Sequence, residues 1–133
     1  MEERAFLGRA GDGPAGSCGL GLRREHYQTV LDERPDVPFF EVISENFMVE
    51  GGRPLHVLER VRESYPVALH GVSLSPGSAE PPREDYLVRL GALVRLVDPV
   101  VVSDHLCWTR GAGHNSHDLL PLPFTEEAVG IAA

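Results

Sequence analysis

The chain contains 133 residues, of which 42% are hydrophobic and 24% are charged, a composition typical of a globular domain with its own core. Its formal net charge is −8, and every basic residue is an arginine, with no clustered basic stripe. This charge argues against nucleic acid and against an anionic membrane surface as partners. No stretch reaches the roughly 18 apolar residues of a membrane span, and the acidic N-terminus is unlike a secretory signal. Two widely separated cysteines indicate a reducing compartment, so we expect a cytoplasmic protein.

The first part of the chain predicts one strand–helix unit after a flexible lead-in. Residues 1–17 are rich in glycine, alanine and charge without periodicity, and we expect them to precede a domain that covers residues 18–133. A short strand, CGLGLR, opens this domain. The segment REHYQTVLDER has apolar or aromatic positions at helical spacing, and FFEVIS follows as the second strand.

The same order of strand, loop and helix then repeats. PLHVLERVRESY is predicted as a helix with Pro54 in its first turn, and PVALHGV as the third strand. After a long loop, REDYLVRLGALVRLV carries its apolar residues on one helical face.

The last part of the chain predicts a strand, a loop and the start of a helix. PVVVSDHL has the composition of a fourth buried strand, and GAGHNSHDLLPLPF is predicted to be a long irregular loop. Thr125 is positioned to cap a final helix that begins with TEEAV.

Successive strand–helix units predict an α/β fold with a parallel sheet, because right-handed crossovers place consecutive strands side by side. Four such units are half of a TIM barrel, so we expect the N-terminal half of a barrel in a truncated chain. Two alternatives are a pair of chains that complete each other and a small open α/β fold. An open half-barrel would leave strands one and four as apolar edges, which predicts self-association.

Three successive strands end in potential metal ligands. Glu45 ends strand two, His70 ends strand three and His105 ends strand four. In α/β folds the carboxyl ends of the strands form the functional edge. Two histidines and one carboxylate suit iron(II) or zinc. Glu45 has two plainer interpretations, as a residue that caps the following loop or as the partner of an arginine. Each histidine, taken alone, could be a polar residue whose hydrogen bonds are made within the protein.

Other polar residues accompany this edge. Asp104 would point to the opposite face of an extended strand, or would orient a histidine through a hydrogen bond. His117 and Asp118 lie in GHNSHD, where an exposed loop histidine and a residue that binds substrate or moves protons are both consistent with the pattern.

Six segments, in this order, resemble one family with high specificity: GLGLRREHY, FFEVISENFM, GGRPL, YPVALHGVSLSPGS, VVSDHLCW and HDLLPLPFTEEAV. They are similar to the N-terminal half of the MbnB-like multinuclear non-heme iron-dependent oxidative enzymes. The resemblance runs from about Gly19 to Val129.

This resemblance implies a TIM barrel that holds two or three iron ions at its C-terminal rim. It also implies a partner protein that recognises the leader of a precursor peptide, and the use of dioxygen to modify that peptide, typically at cysteine. His70 and His105 match iron ligands of the family, and the SENFM motif places Glu45 and Asn46 at the site. The resemblance places His117 and Asp118 near the site. The family's remaining ligands lie on later strands, which have no counterpart here.

The leading hypothesis is therefore an iron-dependent oxidase whose site is partly held by His70 and His105. One alternative is a non-catalytic half-barrel that acts as a binding module. Another is a different TIM-barrel metal enzyme, of the sugar isomerase or endonuclease type, with similar ligands.

Overall fold

The computed structural model describes residues 16–111 and 113–133 of the protein. The strands of this part are β1 (Leu20–Gly21), β2 (Phe40–Ile43), β3 (Val67–Gly71), β4 (Val101–Asp104), β5 (Cys107–Gly111) and β6 (His114–Pro121). Its helices are α1 (Tyr27–Glu33), α2 (Arg53–Arg62), α3 (Glu84–Val97) and α4 (Glu126–Ala132), with 3₁₀ turns at Arg24–His26 and Ser44–Phe47. Of the predicted lead-in, all but Gly16 and Ser17 lies outside the described residues.

The first four strands form one parallel sheet in the order β1-β2-β3-β4, and α1, α2 and α3 connect them in turn. This arrangement is half of a TIM barrel and confirms the predicted fold class. The register pairs Ile43 with His70, and His70 with Ser103, so these three side chains share one face of the sheet.

The core lies between the sheet and its helices. Phe40, Val42, Val67 and Leu69 alternate along β2 and β3, and all four are buried in one cluster with residues of α1, α2 and α3. Because side chains alternate between the two faces of a strand, the residues between them point away from these helices. His70 therefore lies on the side of the sheet that is the interior in a closed barrel.

Backbone conformation and proline end two of the helices at the predicted places. Arg34 and Asp98 follow α1 and α3 in the left-handed region, with φ of 48° and 51°. Each is followed by a proline, Pro35 or Pro99, which lacks the amide hydrogen needed to continue a helix. These endings return the chain directly to the next strand.

The predicted irregular loop over GAGHNSHDLLPLPF is wrong, because most of it belongs to an antiparallel hairpin of β5 and β6. Along β5, buried Cys107 and Thr109 alternate with half-buried Trp108, which is the period-two pattern of a strand. The register shifts between Trp108 and Arg110, and nearly all of β6 is exposed, so β6 has no apolar alternation to reveal it.

The final helix begins as predicted. Thr125 is the N-cap of α4, and its hydroxyl accepts a 3.2 Å hydrogen bond from the Ala128 amide. In the described part of the chain, no helix has the length and apolar character needed to cross a membrane.

Candidate metal centre

His70 and His105 come together at the carboxyl edge of the sheet. His70 lies near the end of β3, and His105 directly follows β4. Their ring centroids are 4.6 Å apart, with an angle of 57° between the ring planes. Both residues are half-buried, so the pair is partly shielded while remaining open to a ligand. The structure thus brings together the two histidines that the strand pattern placed on one rim.

The hydrogen bonds of each imidazole fix which nitrogen is free. His105 Nδ1 lies 3.2 Å from the Gly71 carbonyl oxygen, which can only accept, so Nδ1 is the donor. The Ser103 hydroxyl donates to the Leu69 carbonyl oxygen at 3.5 Å, which leaves Ser103 Oγ to accept from His70 Nδ1 at 2.8 Å. In both rings Nε2 then keeps its lone pair. This arrangement is typical of histidines that bind metal through Nε2.

Asp104 lies on the opposite face of the sheet from the two rings. Its register partner is Gly71, and a Cβ atom added to that glycine would be 2.9 Å from Asp104 Cγ. Asp104 Oδ1 accepts a 2.7 Å bond from the His105 backbone amide, and Oδ2 accepts from the Leu74 amide at 3.3 Å. Asp104 therefore orients the His105 backbone, and no hydrogen bond joins its carboxylate to either imidazole in the described residues.

Glu45 is turned toward α3. It lies in the 3₁₀ turn after β2, where Oε1 accepts from the Val72 amide at 2.9 Å and from the Tyr86 hydroxyl at 2.7 Å. Tyr86 also lies 3.4 Å from Asp104 Oδ2, so one phenol links both carboxylates. Tyr86 itself is 6% exposed. Glu45 Oε2 is buried without a hydrogen-bond partner among the described residues.

The buried environment changes the acidity of this group. Burial raises the pKa of Tyr86 well above its usual range, and the hydrogen bond and charge of Glu45 act in the same direction. Burial also raises the pKa of Asp104, against the bonds from the Leu74 and His105 amides that lower it. Tyr86 is consequently a fixed hydrogen-bond donor at neutral pH.

The other predicted site residues lie apart from this pair. Asn46 is exposed and lines a cavity of about 390 Å³ at the ends of β1 and β2. His117 and Asp118 are exposed on β6, where the His117 amide donates to Asn115 Oδ1 and the Asp118 amide to Ser116 Oγ. Their predicted role near the substrate stays a prediction.

The described residues contain no group of three or more histidine, cysteine, aspartate or glutamate side chains placed to hold one metal ion. The donor set present is the pair of imidazoles, each with a free Nε2. Two neutral imidazoles fit a divalent transition metal, and further ligands would complete its coordination. Glu45 Oε1 already accepts two hydrogen bonds, so Oε2 is the oxygen that could bind a metal. Direct ligation by Glu45 stays a prediction.

Comparison with known proteins decides the family. A family model described as "RiPP precursor modification enzyme MbnB/TglH/ChrH" matches residues 17–133. The chain belongs to this family. The match confirms the resemblance inferred from the six sequence segments, and it includes β1–β6 and α1–α4.

Several similar sequences carry the description UPF0276 protein. One from Caulobacter vibrioides is 65% identical over 89% of this chain and 42% of its own length. One from Anaeromyxobacter sp. is 54% identical over 84% of this chain and 39% of its own length. One from Acaryochloris marina is 48% identical over 87% of this chain and 42% of its own length. The chain therefore spans about two-fifths of the length of these curated relatives.

Two structural features of this family member have only weak signals in its sequence. Tyr86 fits the apolar stripe of α3, and only the two nearby carboxylates show that its hydroxyl has a role. Ser75 is 1% exposed, accepts from the Thr109 amide at 2.8 Å, and pairs with Ser78 Oγ at 2.6 Å. These two serines are the first and last residues of the SPGS segment, and their hydrogen bonds attach β5 to the loop after β3.

Proposed function

We propose that the protein binds iron through His70 and His105 and acts as an iron-dependent oxidase on a precursor peptide. Family membership supports precursor modification as the type of reaction. The observation that carries the iron proposal is the pair of imidazoles, which are 4.6 Å apart with both Nδ1 atoms engaged in hydrogen bonds. That combination leaves one Nε2 lone pair on each of two adjacent rings for a shared ligand.

The residues present support binding and orientation. When bound, iron would supply redox chemistry with dioxygen and an anchor for a substrate thiolate. The Gly71 carbonyl and Ser103 hold the ring orientations, and Asp104 fixes the backbone at His105. A site with two or three irons needs more ligands than these two histidines. We place those ligands in the part of the relatives' length that this chain does not span.

The proposed substrate is a cysteine-containing precursor peptide, presented by a partner protein that recognises its leader. The family description supports a peptide as the substrate, in preference to the sugar or DNA substrates of other TIM-barrel metal enzymes. The chain's two widely separated cysteines are in keeping with work in the cytoplasm, where thiol substrates stay reduced.

Co-expression with a cysteine-containing peptide tests this function. The chain would be produced together with the C-terminal part that its relatives have and with short cysteine-containing reading frames from its own genomic neighbourhood, and the intact mass of each peptide would be measured. We expect a mass change that requires iron and air and is lost in His70→Gln and His105→Gln. The exposed His56 on α2 provides the matched control, His56→Gln. If the peptide has the same mass with the wild-type chain as with His70→Gln and with His105→Gln, the oxidase proposal is refuted.

A further inference from the structure

A cavity of about 390 Å³ opens at the carboxyl ends of β1 and β2, and three of its lining residues are arginines. Arg23 follows β1, Arg24 begins the first 3₁₀ turn, and Arg53 begins α2. Two consecutive residues at the first 3₁₀ turn and one residue at the start of α2 thus bring three arginines to one cavity. We call this space the arginine-lined cavity.

The arginines of this cavity lack anionic partners among the described residues. Elsewhere in the same residues, Arg60 pairs with Glu63, while Arg83 and Arg89 both pair with Asp85. Arg23, Arg24 and Arg53 are exposed and form no ion pair in the described residues. Exposed Arg95 on α3 has no ion pair there either, so the feature that sets the three apart is their clustering at one cavity. Neighbouring like charges are unfavourable unless an anion compensates them.

Glu41 and Tyr27 also line the cavity and contribute to its charge and hydrogen-bonding groups. Glu41 is its only acidic lining residue in the described chain, so cationic groups outnumber carboxylates there by three to one. Tyr27 also lines it, and burial raises the pKa of this phenol while the charges of Arg24 and Arg53 partly offset the rise. Tyr27 therefore adds a hydroxyl to a cavity lined by three arginines.

The position of the cavity connects it to the histidine pair. Ile43 lines the cavity and is the register partner of His70 on the next strand. Both side chains lie on the face of the sheet that is away from the helices, so one inter-strand spacing of about 4.8 Å separates their backbones. A peptide bound at the histidines would therefore pass beside the cavity that the arginines line.

We propose that the arginine-lined cavity binds a carboxylate of the precursor peptide, close in sequence to the residue that is modified. The carboxylate comes from an acidic side chain or from the peptide's C-terminus. Arginine suits this role because its planar guanidinium pairs with a carboxylate through two parallel hydrogen bonds. That the ligand is a precursor peptide rests on the proposed function, whereas the carboxylate preference rests on the cavity itself.

Binding of short peptides to the iron-free full chain tests this proposal. The probes are acetyl-Gly-Glu-Gly-amide, its neutral counterpart acetyl-Gly-Gln-Gly-amide, and acetyl-Gly-Gly-Gly with a free C-terminal carboxylate. Nuclear magnetic resonance of nitrogen-15-labelled arginine side chains would follow the Nε–H signals of Arg23, Arg24 and Arg53. We expect the two carboxylate probes to shift these signals and the glutamine probe to leave them in place. The carboxylate probe that binds with higher affinity shows whether the carboxylate comes from an acidic side chain or from a C-terminus.

Variants of the arginines provide the second part of the test. We expect Arg24→Gln and Arg53→Gln each to weaken binding of the better carboxylate probe by about fivefold to tenfold. Arg95→Gln, a change at an exposed arginine on α3, is the matched control and leaves affinity unchanged. Equal shifts with the glutamine and glutamate probes, or unchanged affinity in both cavity variants, would overturn the proposal. Because no iron, air or turnover is involved, this result is independent of the oxidase test.

Discussion

The hydroxyl of Tyr86 donates a 2.7 Å hydrogen bond to Glu45 Oε1 across the space between α3 and the turn after β2. The same hydroxyl is 3.4 Å from Asp104 Oδ2, and Asp104 in turn accepts from the amide of His105. A residue on a helix is thereby connected to one of the two histidines at the rim. This connection gives α3 a part in positioning the candidate metal centre.

Replacement of Tyr86 by phenylalanine should therefore affect both stability and metal binding. The variant loses a hydrogen bond to a carboxylate in a half-buried place, and we expect the free energy of unfolding to fall by about 1.5 kcal/mol. We also expect iron(II) affinity to fall by about tenfold, as is typical when a group that supports a metal ligand is removed. Urea denaturation and anaerobic metal titration measure the two effects.

Tyr65 supplies the matched control for this variant. Its hydroxyl donates a 2.8 Å bond to the Pro35 carbonyl oxygen. Tyr65 precedes β3 and packs against the core, whereas His70 lies near the other end of that strand. Tyr65→Phe should cost about 1 kcal/mol of stability and leave iron affinity unchanged. If Tyr86→Phe and Tyr65→Phe have the same effect on iron affinity, Tyr86 has no positioning role.

Gly71 is expected to tolerate no side chain. A Cβ atom there would overlap Asp104 Oδ2 and lie 3.0 Å from the Tyr86 hydroxyl, while the Gly71 carbonyl accepts from His105. Gly71→Ala should lower stability by about 1–3 kcal/mol through overpacking and should displace Asp104. Thermal unfolding measures the change.

Gly130 in α4 is the matched control for Gly71, because a Cβ atom added there meets nothing within 4 Å. Gly130→Ala should raise stability slightly, since alanine favours a helix over glycine by about 1 kcal/mol. Equal stability of the two alanine variants would contradict the account of the close approach at Gly71.

Ser75 is expected to hold the β5–β6 hairpin to the loop after β3. Ser75→Ala leaves the buried Thr109 amide without its acceptor, which should cost about 1–3 kcal/mol. Hydrogen exchange at the Thr109 amide should become faster, while amides in β2 and β3 keep their protection. The exposed Ser73 gives the control variant Ser73→Ala, for which we expect no change. Slow exchange at Thr109 in the Ser75 variant would show that the hairpin is held by other contacts.

The sequence was sufficient to predict the parallel sheet because each of its core strands is a short apolar segment between helix-forming segments. The buried apolar residues Val67, Ala68 and Leu69 of β3 and the apolar face of α3 are strong signals of this kind. The hairpin gave no comparable signal. Its second strand, β6, is almost wholly exposed, and His117 within it has a φ of 55°, so neither alternation nor ordinary strand geometry marks it.

The candidate site could be predicted where position in a strand decides it. His70 and His105 are near strand ends, and parallel register brings them together. The direction of Glu45 could not be predicted in this way, because β2 ends at Ile43 and a 3₁₀ turn points the carboxylate toward α3. That turn and the hydroxyl of Tyr86 are tertiary features, without a periodic pattern in the sequence.

Anaerobic titration of the full chain with iron(II) tests the central claim most directly. We predict that the wild-type chain binds at least one iron per chain, that His70→Gln and His105→Gln each lose this binding, and that His56→Gln retains it. Circular dichroism would establish that all variants are folded. Failure of the folded wild-type chain to bind iron, or equal binding by all three histidine variants, would contradict the assignment of His70 and His105 as iron ligands.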